Sequence, residues 1–238
     1  MSLLDTITRT MLVKPHKAGY PFIAGGAVLT ILFLLIWEPL GLLFLILTLF
    51  TLYFFRDPVR AVPQQDGLVI APADGRIISI TADKTLPDEL GSDMNSDDTF
   101  TKISIFLSVL DVHVNRVPAN GTIIDTYYYE GAFFNAELDK ASEENERAHA
   151  LLKTEKGQYV GFSQIAGLVA RRIVTDLEKD KEVEAGQRFG IIRFGSRADI
   201  YIPSKIAPLV CVGQRTIGGE TILANLNAKN KAYTAKLI

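Results

Sequence analysis

Two long apolar runs dominate the first quarter of this 238-residue chain. No charged residue occurs from Ala18 to Trp37, and none again from Pro39 to Phe55. At a rise of 1.5 Å per residue each run makes a helix of roughly 25–30 Å, close to the apolar thickness of a bilayer. A single continuous helix would measure about 55 Å, too long for one crossing. Glu38-Pro39-Leu40-Gly41 supplies the break, because proline stops a helix and glycine permits a reversal. The pattern therefore predicts a membrane-anchoring helical hairpin over residues 1–56, spanning the bilayer or dipping into it. Arg9, Lys14 and Lys17 precede the hairpin and Arg56 and Arg60 follow it, whereas the connecting loop has no cation. By the positive-inside rule both ends, and the remainder of the chain, belong on the cytoplasmic face of a cell membrane. A cleaved signal peptide fits poorly, since the apolar stretch is too long and no small-residue cleavage site follows it directly.

From Asp57 the pattern shifts to short alternating runs separated by Gly, Pro, Asn and Asp, which predicts strands. Leu68–Ala71 and Arg76–Ile80 flank a turn at Pro72-Ala73-Asp74-Gly75. Residues 87–98 are acidic and read as a solvated loop. Strands resume at Lys102–Leu107, Val112–Val114 and Thr122–Tyr129. Asn135–Leu152 carries good helix formers with many charges and reads as the one soluble helix. Further strands are expected at Gln158–Ala166, Ala170–Leu177, Leu209–Val212 and Thr221–Ala224. Gln187–Ile202 reads as strand, tight turn, strand, with Gly195-Ser196 in the turn. The expected fold is mostly β, a sandwich or barrel-sandwich-like domain over residues 57–238 with one or two short helices.

A formal charge of −2 gives no reason to expect a nucleic acid partner. The single cysteine, Cys211, excludes an internal disulfide and reads as a small buried apolar residue. His16, His113 and His149 lack histidine or cysteine partners at ligand spacing, so no metal site is expected. Ser163 lacks the second glycine of a hydrolase elbow. Three residues hold two readings each. Asp74 before Gly75 is a common turn signal or a functional carboxylate. His113, flanked by valines, is a satisfied core residue or a proton carrier. Gly195-Ser196 is an ordinary turn, or a peptide bond whose carbonyl the serine hydroxyl attacks.

Six separate stretches bear on that choice: Phe55–Pro58, Ala71–Gly75, Leu107-Ser108 with Asp111–Pro118, Asn135 with Asp139–Arg147, Gln164–Ile173 and Arg193–Arg197. In this order they resemble the phosphatidylserine decarboxylase proenzymes, specifically the shorter branch with Arg-Phe-Gly-Ser-Arg. The resemblance covers nearly the whole chain from Phe55 onward. It implies self-cleavage between Gly195 and Ser196. The Ser196 hydroxyl attacks the Gly195 carbonyl through an oxyanion that nearby donors stabilise, and the resulting ester eliminates chain 1–195. The dehydroalanine left at 196 loses ammonia and becomes a pyruvoyl group, a covalent cofactor heading chain 196–238. Its ketone forms a Schiff base with the amine of phosphatidylserine and accepts electrons as CO₂ leaves, giving phosphatidylethanolamine. The two chains stay associated, and a homo-oligomer is left open.

By the same resemblance Asp74 and His113 position and deprotonate Ser196, and His113 supplies the proton after decarboxylation. The larger branch has a second histidine three residues beyond the first, where this chain has Arg116, so the base for self-cleavage is open. Arg116, Arg171 and Arg172 are candidates for the substrate's phosphate or carboxylate. Two readings compete with this one. One is a decarboxylase of another serine-headgroup lipid. The other is a non-enzymatic, membrane-tethered adaptor resembling lipoyl or biotinyl domains, suggested by Val183–Gly190. Those carriers bear a lysine at a tight hairpin tip, whereas the turn here holds Gly195-Ser196-Arg197 and no lysine.

Overall fold

A computed structural model describes residues 13–90, 98–131, 144–167, 172–193 and 195–228. The chain divides into two compact units, Met1–Val59 and Arg60–Ile238. In the first unit a short 3₁₀ turn, Lys17–Gly19, leads into helix α1, Tyr20–Ile36; helix α2, Glu38–Phe54, follows. Pro21 and Pro39 occupy their first turns, where a missing N–H costs nothing. Trp37 between them is extended at φ −155°. The helices meet where side chains are small or flat. The Thr30 and Thr48 hydroxyls approach to 3.3 Å, and Phe33 stacks on Phe44 with centroids 5.0 Å apart. At Gly41 a Cβ would fall 2.5 Å from the Leu34 nitrogen, so the close approach requires glycine. Away from this seam the surface is apolar and exposed, including Ile31, Leu35, Ile36, Ile46 and Leu49. Lys17–Ile36 is long and apolar enough to cross a bilayer; Glu38–Phe54 is apolar but shorter.

The second unit is mostly β. In chain order its strands are β1 Leu68–Ile70, β2 Gly75–Lys84, β3 Phe100–Leu107, β4 Val114–Arg116, β5 Gly121–Tyr129, β6 Arg147–Lys153, β7 Tyr159–Ala166, β8 Ile173–Thr175, β9 Glu182–Val183, β10 Arg188–Ile192, β11 Ser196–Pro203, β12 Arg215–Thr216 and β13 Ile222–Asn225. They form an eight-stranded sheet ordered β12-β2-β3-β11-β7-β6-β5-β9, a three-stranded sheet β4-β10-β8 and a pair β1-β13. The expectation of a β domain holds.

Strand alternation decides what β11 presents to each side. Ala198, Ile200 and Ile202 enter the apolar core with Ile103 and Ile105 of β3, Val160 and Phe162 of β7, and Ala150 and Leu152 of β6. Each of the Ile, Leu, Val and Phe side chains among them contributes roughly 1.5–3 kcal/mol on burial. The intervening residues form a buried polar row on the other face: Asp199 pairs in register with Ser104 and Ser163, and Ser163 with His149. The small sheet joins the large one through Phe162 and Phe189, an edge-on ring pair at 5.3 Å, and through Gln164, which donates to Asn115 Oδ1 at 2.8 Å.

Several local expectations change. Residues 147–152, expected as helix, are strand β6, paired on both edges to β5 and β7; sheet pairing overrides their helix propensity. The earlier part of that expectation, 135–143, lies outside the described residues. Gln187–Ile202 is not a hairpin, because β10 pairs with β4 and β8 while β11 pairs with β3 and β7. The turn at Pro72–Gly75 likewise joins strands of different sheets. Leu209–Val212 is not a strand, and Cys211 is half-buried beside Gln214 rather than in the core.

Candidate active site

The chain crosses from the small sheet to the large one at Arg193–Gly195, and this crossing places Gly195 and Ser196. Gly195 has φ +73°, a conformation that L side chains avoid, and nothing lies within 4 Å of where its Cβ would be. Ser196 opens β11 on the same face as Ala198. It is fully buried, and among the described residues its Oγ has no hydrogen-bond partner.

His113 stands immediately before β4 and is also fully buried. Its Nδ1 lies 2.9 Å from the Asp111 carbonyl oxygen, which can only accept. The proton therefore sits on Nδ1, and Nε2 is left as an acceptor. That nitrogen receives the Gly195 N–H at 3.3 Å. The loop carrying His113 is held by Asp111, whose Oδ2 accepts from the Ser108 N–H at 2.9 Å and the Ser108 hydroxyl at 2.7 Å, and whose Oδ1 binds Arg215. On the other side of the same peptide segment, the Gly195 carbonyl accepts the Gly167 N–H at 3.0 Å.

Asp74 lies at the same end of the large sheet. The next residue, Gly75, opens β2, where Arg76 pairs with Phe106; Phe106 pairs with Arg197 of β11. At Gly75 a Cβ would fall 2.2 Å from the Phe106 carbonyl oxygen, so only glycine lets the strands approach here. The Asp74 carboxylate is bound by Arg60 at 2.7 and 2.9 Å and by the Gly218 N–H at 2.8 Å. Burial raises its pKa, opposed by the Arg60 charge and the Gly218 hydrogen bond. Arg116 is buried, donating to the Gly186 carbonyl at 2.9 Å, with its side chain against Gly219. Arg172 is exposed, and its carbonyl receives the Arg193 N–H at 3.3 Å. The Arg193 guanidinium has its pKa lowered by burial and then by the charge of Arg172. Arg171 lies outside the described residues.

The structure thus brings His113 to the Gly195-Ser196 peptide, and holds Asp74 in an ion pair at the same sheet end. Arg60, read from sequence only as a charge flanking the apolar runs, is the Asp74 partner. Asp111 and Arg215 were missed as supports of the histidine loop, although the Ser108-x-x-Asp111 spacing is a local signal for a side chain closing on a backbone N–H. Gly167 was missed because a backbone donor has no side-chain signature.

Ser196 fits conversion to the carbonyl group expected of it. Its hydroxyl is committed to no other group among the described residues, and the residue before it, Gly195, is held at both its N–H and its carbonyl.

A fold in which a serine, a strained glycine and an unprotonated histidine nitrogen meet across two sheets invites comparison with enzymes, and the match found is to a decarboxylase family. Residues 47–224 match the family model described as phosphatidylserine decarboxylase. A protein of Rickettsia typhi is 52% identical over 90% of this chain and 91% of its own length. Proteins of Rickettsia akari and Rickettsia felis are each 52% identical over 91% of this chain and 92% of their own. All three are named phosphatidylserine decarboxylase proenzyme. This chain belongs to the phosphatidylserine decarboxylase family.

Proposed function

We propose that this protein is a self-processing carboxy-lyase that converts phosphatidylserine to phosphatidylethanolamine and CO₂, and that it belongs to the shorter branch of its family. The reading is carried by one observation beyond the family match: His113 Nε2 lies 3.3 Å from the nitrogen of Gly195, the residue before Ser196, whose buried hydroxyl has no partner among the described residues. An accepting imidazole nitrogen on the residue next to an uncommitted hydroxyl can serve as its general base once the Gly195 N–H gives way.

In self-cleavage His113 takes the Ser196 hydroxyl proton as Oγ bonds to the Gly195 carbonyl carbon. The peptide C–N bond then breaks, the proton passes to the departing nitrogen, and an ester joins residues 195 and 196. Asp111 holds the imidazole in the required tautomer through its carbonyl. Asp74, held by Arg60, places a carboxylate at this sheet end. The pyruvoyl group formed from residue 196 supplies an electron-withdrawing carbonyl for loss of CO₂. His113 remains beside it to deliver the proton that replaces the carboxylate. The exposed Arg172, together with Arg116 and Arg171, makes up the candidate set for the substrate's anionic groups.

Cleavage need not separate the chains. Every strand after the cut pairs with strands before it: β11 with β3 and β7, β12 with β2, and β13 with β1. The decarboxylase domain, residues 57–238, is reached by a membrane-embedded helical hairpin over residues 1–56 that holds it on the cytoplasmic face. The purified protein should convert phosphatidylserine in vesicles to phosphatidylethanolamine with release of CO₂. Absence of both from folded, processed protein would reject the assignment.

A further inference from the structure

We infer that the backbone N–H of Gly167 is the oxyanion donor for cleavage between Gly195 and Ser196, an inference that rests on the self-processing read above. When the serine oxygen adds to the Gly195 carbonyl carbon, the carbonyl π electrons move onto its oxygen, which becomes an anion. A donor already aimed at that oxygen gains strength as the charge develops, because hydrogen bonds to an ionised acceptor are about twice as strong as neutral ones. Such a donor lowers the barrier without reorganising. The Gly167 nitrogen is 3.0 Å from the Gly195 carbonyl oxygen before attack, so it already points at the atom on which the charge develops.

The fold fixes this donor in place. Arg197 pairs with Ile165 and Ser196 with Ala166 along the β11–β7 seam, so Gly167 is the residue that next meets Gly195. Gly167 is itself buried, shielding the bond from competing water. An ordinary continuation of the ladder would use both polar groups of Gly195 toward β7. Here the seam is kept on one side only: the Gly195 carbonyl takes the Gly167 N–H, while the Gly195 N–H turns to His113 Nε2. Gly195 is thus clamped between a donor on its carbonyl and an imidazole on its N–H, reached from different sheets.

Replacing residue 167 with glycolic acid turns the N–H into an ester oxygen and leaves every side chain unchanged. The variant chain, kept from cleaving in denaturant and then refolded, should cleave about a hundredfold or more slowly than the wild-type chain treated alike, the loss typical for one oxyanion donor. A matching ester at residue 165 removes a donor from the same seam, and should leave the rate within about threefold while costing similar stability. Gly167→Pro, which also lacks the N–H, provides a second variant if the ester chain does not regain its β-sheet circular dichroism. Gly167→Ala keeps the N–H and should cleave. A folded glycolate or proline variant that cleaves within about threefold of wild type overturns the assignment, as does an equal slowing by the ester at 165. Failure of the wild-type chain to cleave would instead reject the self-processing reading itself.

Discussion

In the proposed mechanism Ser196 and His113 carry the chemistry, and each makes a distinct prediction. Ser196→Ala removes the hydroxyl proposed to attack the Gly195 carbonyl, so the chain should remain whole and release no CO₂. A cut and active variant, seen on a denaturing gel, would remove Ser196 from the mechanism. His113→Ala loses the acceptor of the Gly195 N–H and the base, and a loss of about 10²–10⁴-fold in cleavage rate is expected for such a group. His149 is a different kind of histidine. It is buried, with Nδ1 2.6 Å from Ser163 Oγ, and burial pushes its pKa down to about 4, with Glu89 opposing and Arg147 adding. The unfolded chain therefore takes up a proton that the folded chain refuses. The stabilisation is whole above about pH 6.5 and is lost as pH falls toward 4, amounting to roughly 3 kcal/mol when complete. His149→Gln should flatten the fall in thermal midpoint between pH 7 and pH 5; an unchanged slope would place the acid sensitivity elsewhere.

Strand β11 is the element on which both stability and chemistry converge. Directly after Ser196, Arg197 is fully buried and binds the equally buried Asp199 at 2.6 and 3.0 Å, with Ser104 taking another N–H at 2.8 Å. Leaving one member of such a pair alone costs about 3–5 kcal/mol. Asp199→Ala should therefore lower stability by about that amount in denaturant titration, and a cost under about 1 kcal/mol would show the pair to be dispensable. This strand was legible in the alternation of Ala198, Ile200 and Ile202, but its partners were not. Adjacent apolar runs around a Gly-Ser pair read naturally as a hairpin, whereas long-range register sends β10 and β11 to different sheets. That separation is what lets His113, just before a strand of the small sheet, reach Gly195 at the start of a central strand of the large one. Residues 147–152 failed as a helix for a related reason: two neighbouring strands supply pairing that local propensity does not see. The motif residues were found by resemblance; the Asp111 loop closure had a local signal in the Ser108-x-x-Asp111 spacing, while the Arg60 ion pair and the Gly167 backbone N–H have none.

For the molecule as a whole, two units answer two requirements of a lipid substrate. Helices α1 and α2 expose apolar side chains that water would penalise, and the proposed membrane anchor would bury them. The protein should sediment with membranes and stay there through an alkaline carbonate wash; release by that wash would contradict embedding. The β unit interleaves strands from before and after residue 195, so a cut chain should purify as one particle. Intact-mass analysis of the purified native protein decides the matter. We predict two species in equal amount, residues 1–195 and residues 196–238, the second lighter than its unmodified sequence by the replacement of its terminal amine with a ketone. A decarboxylating preparation containing only the unbroken 238-residue chain would contradict self-cleavage and the cofactor it generates.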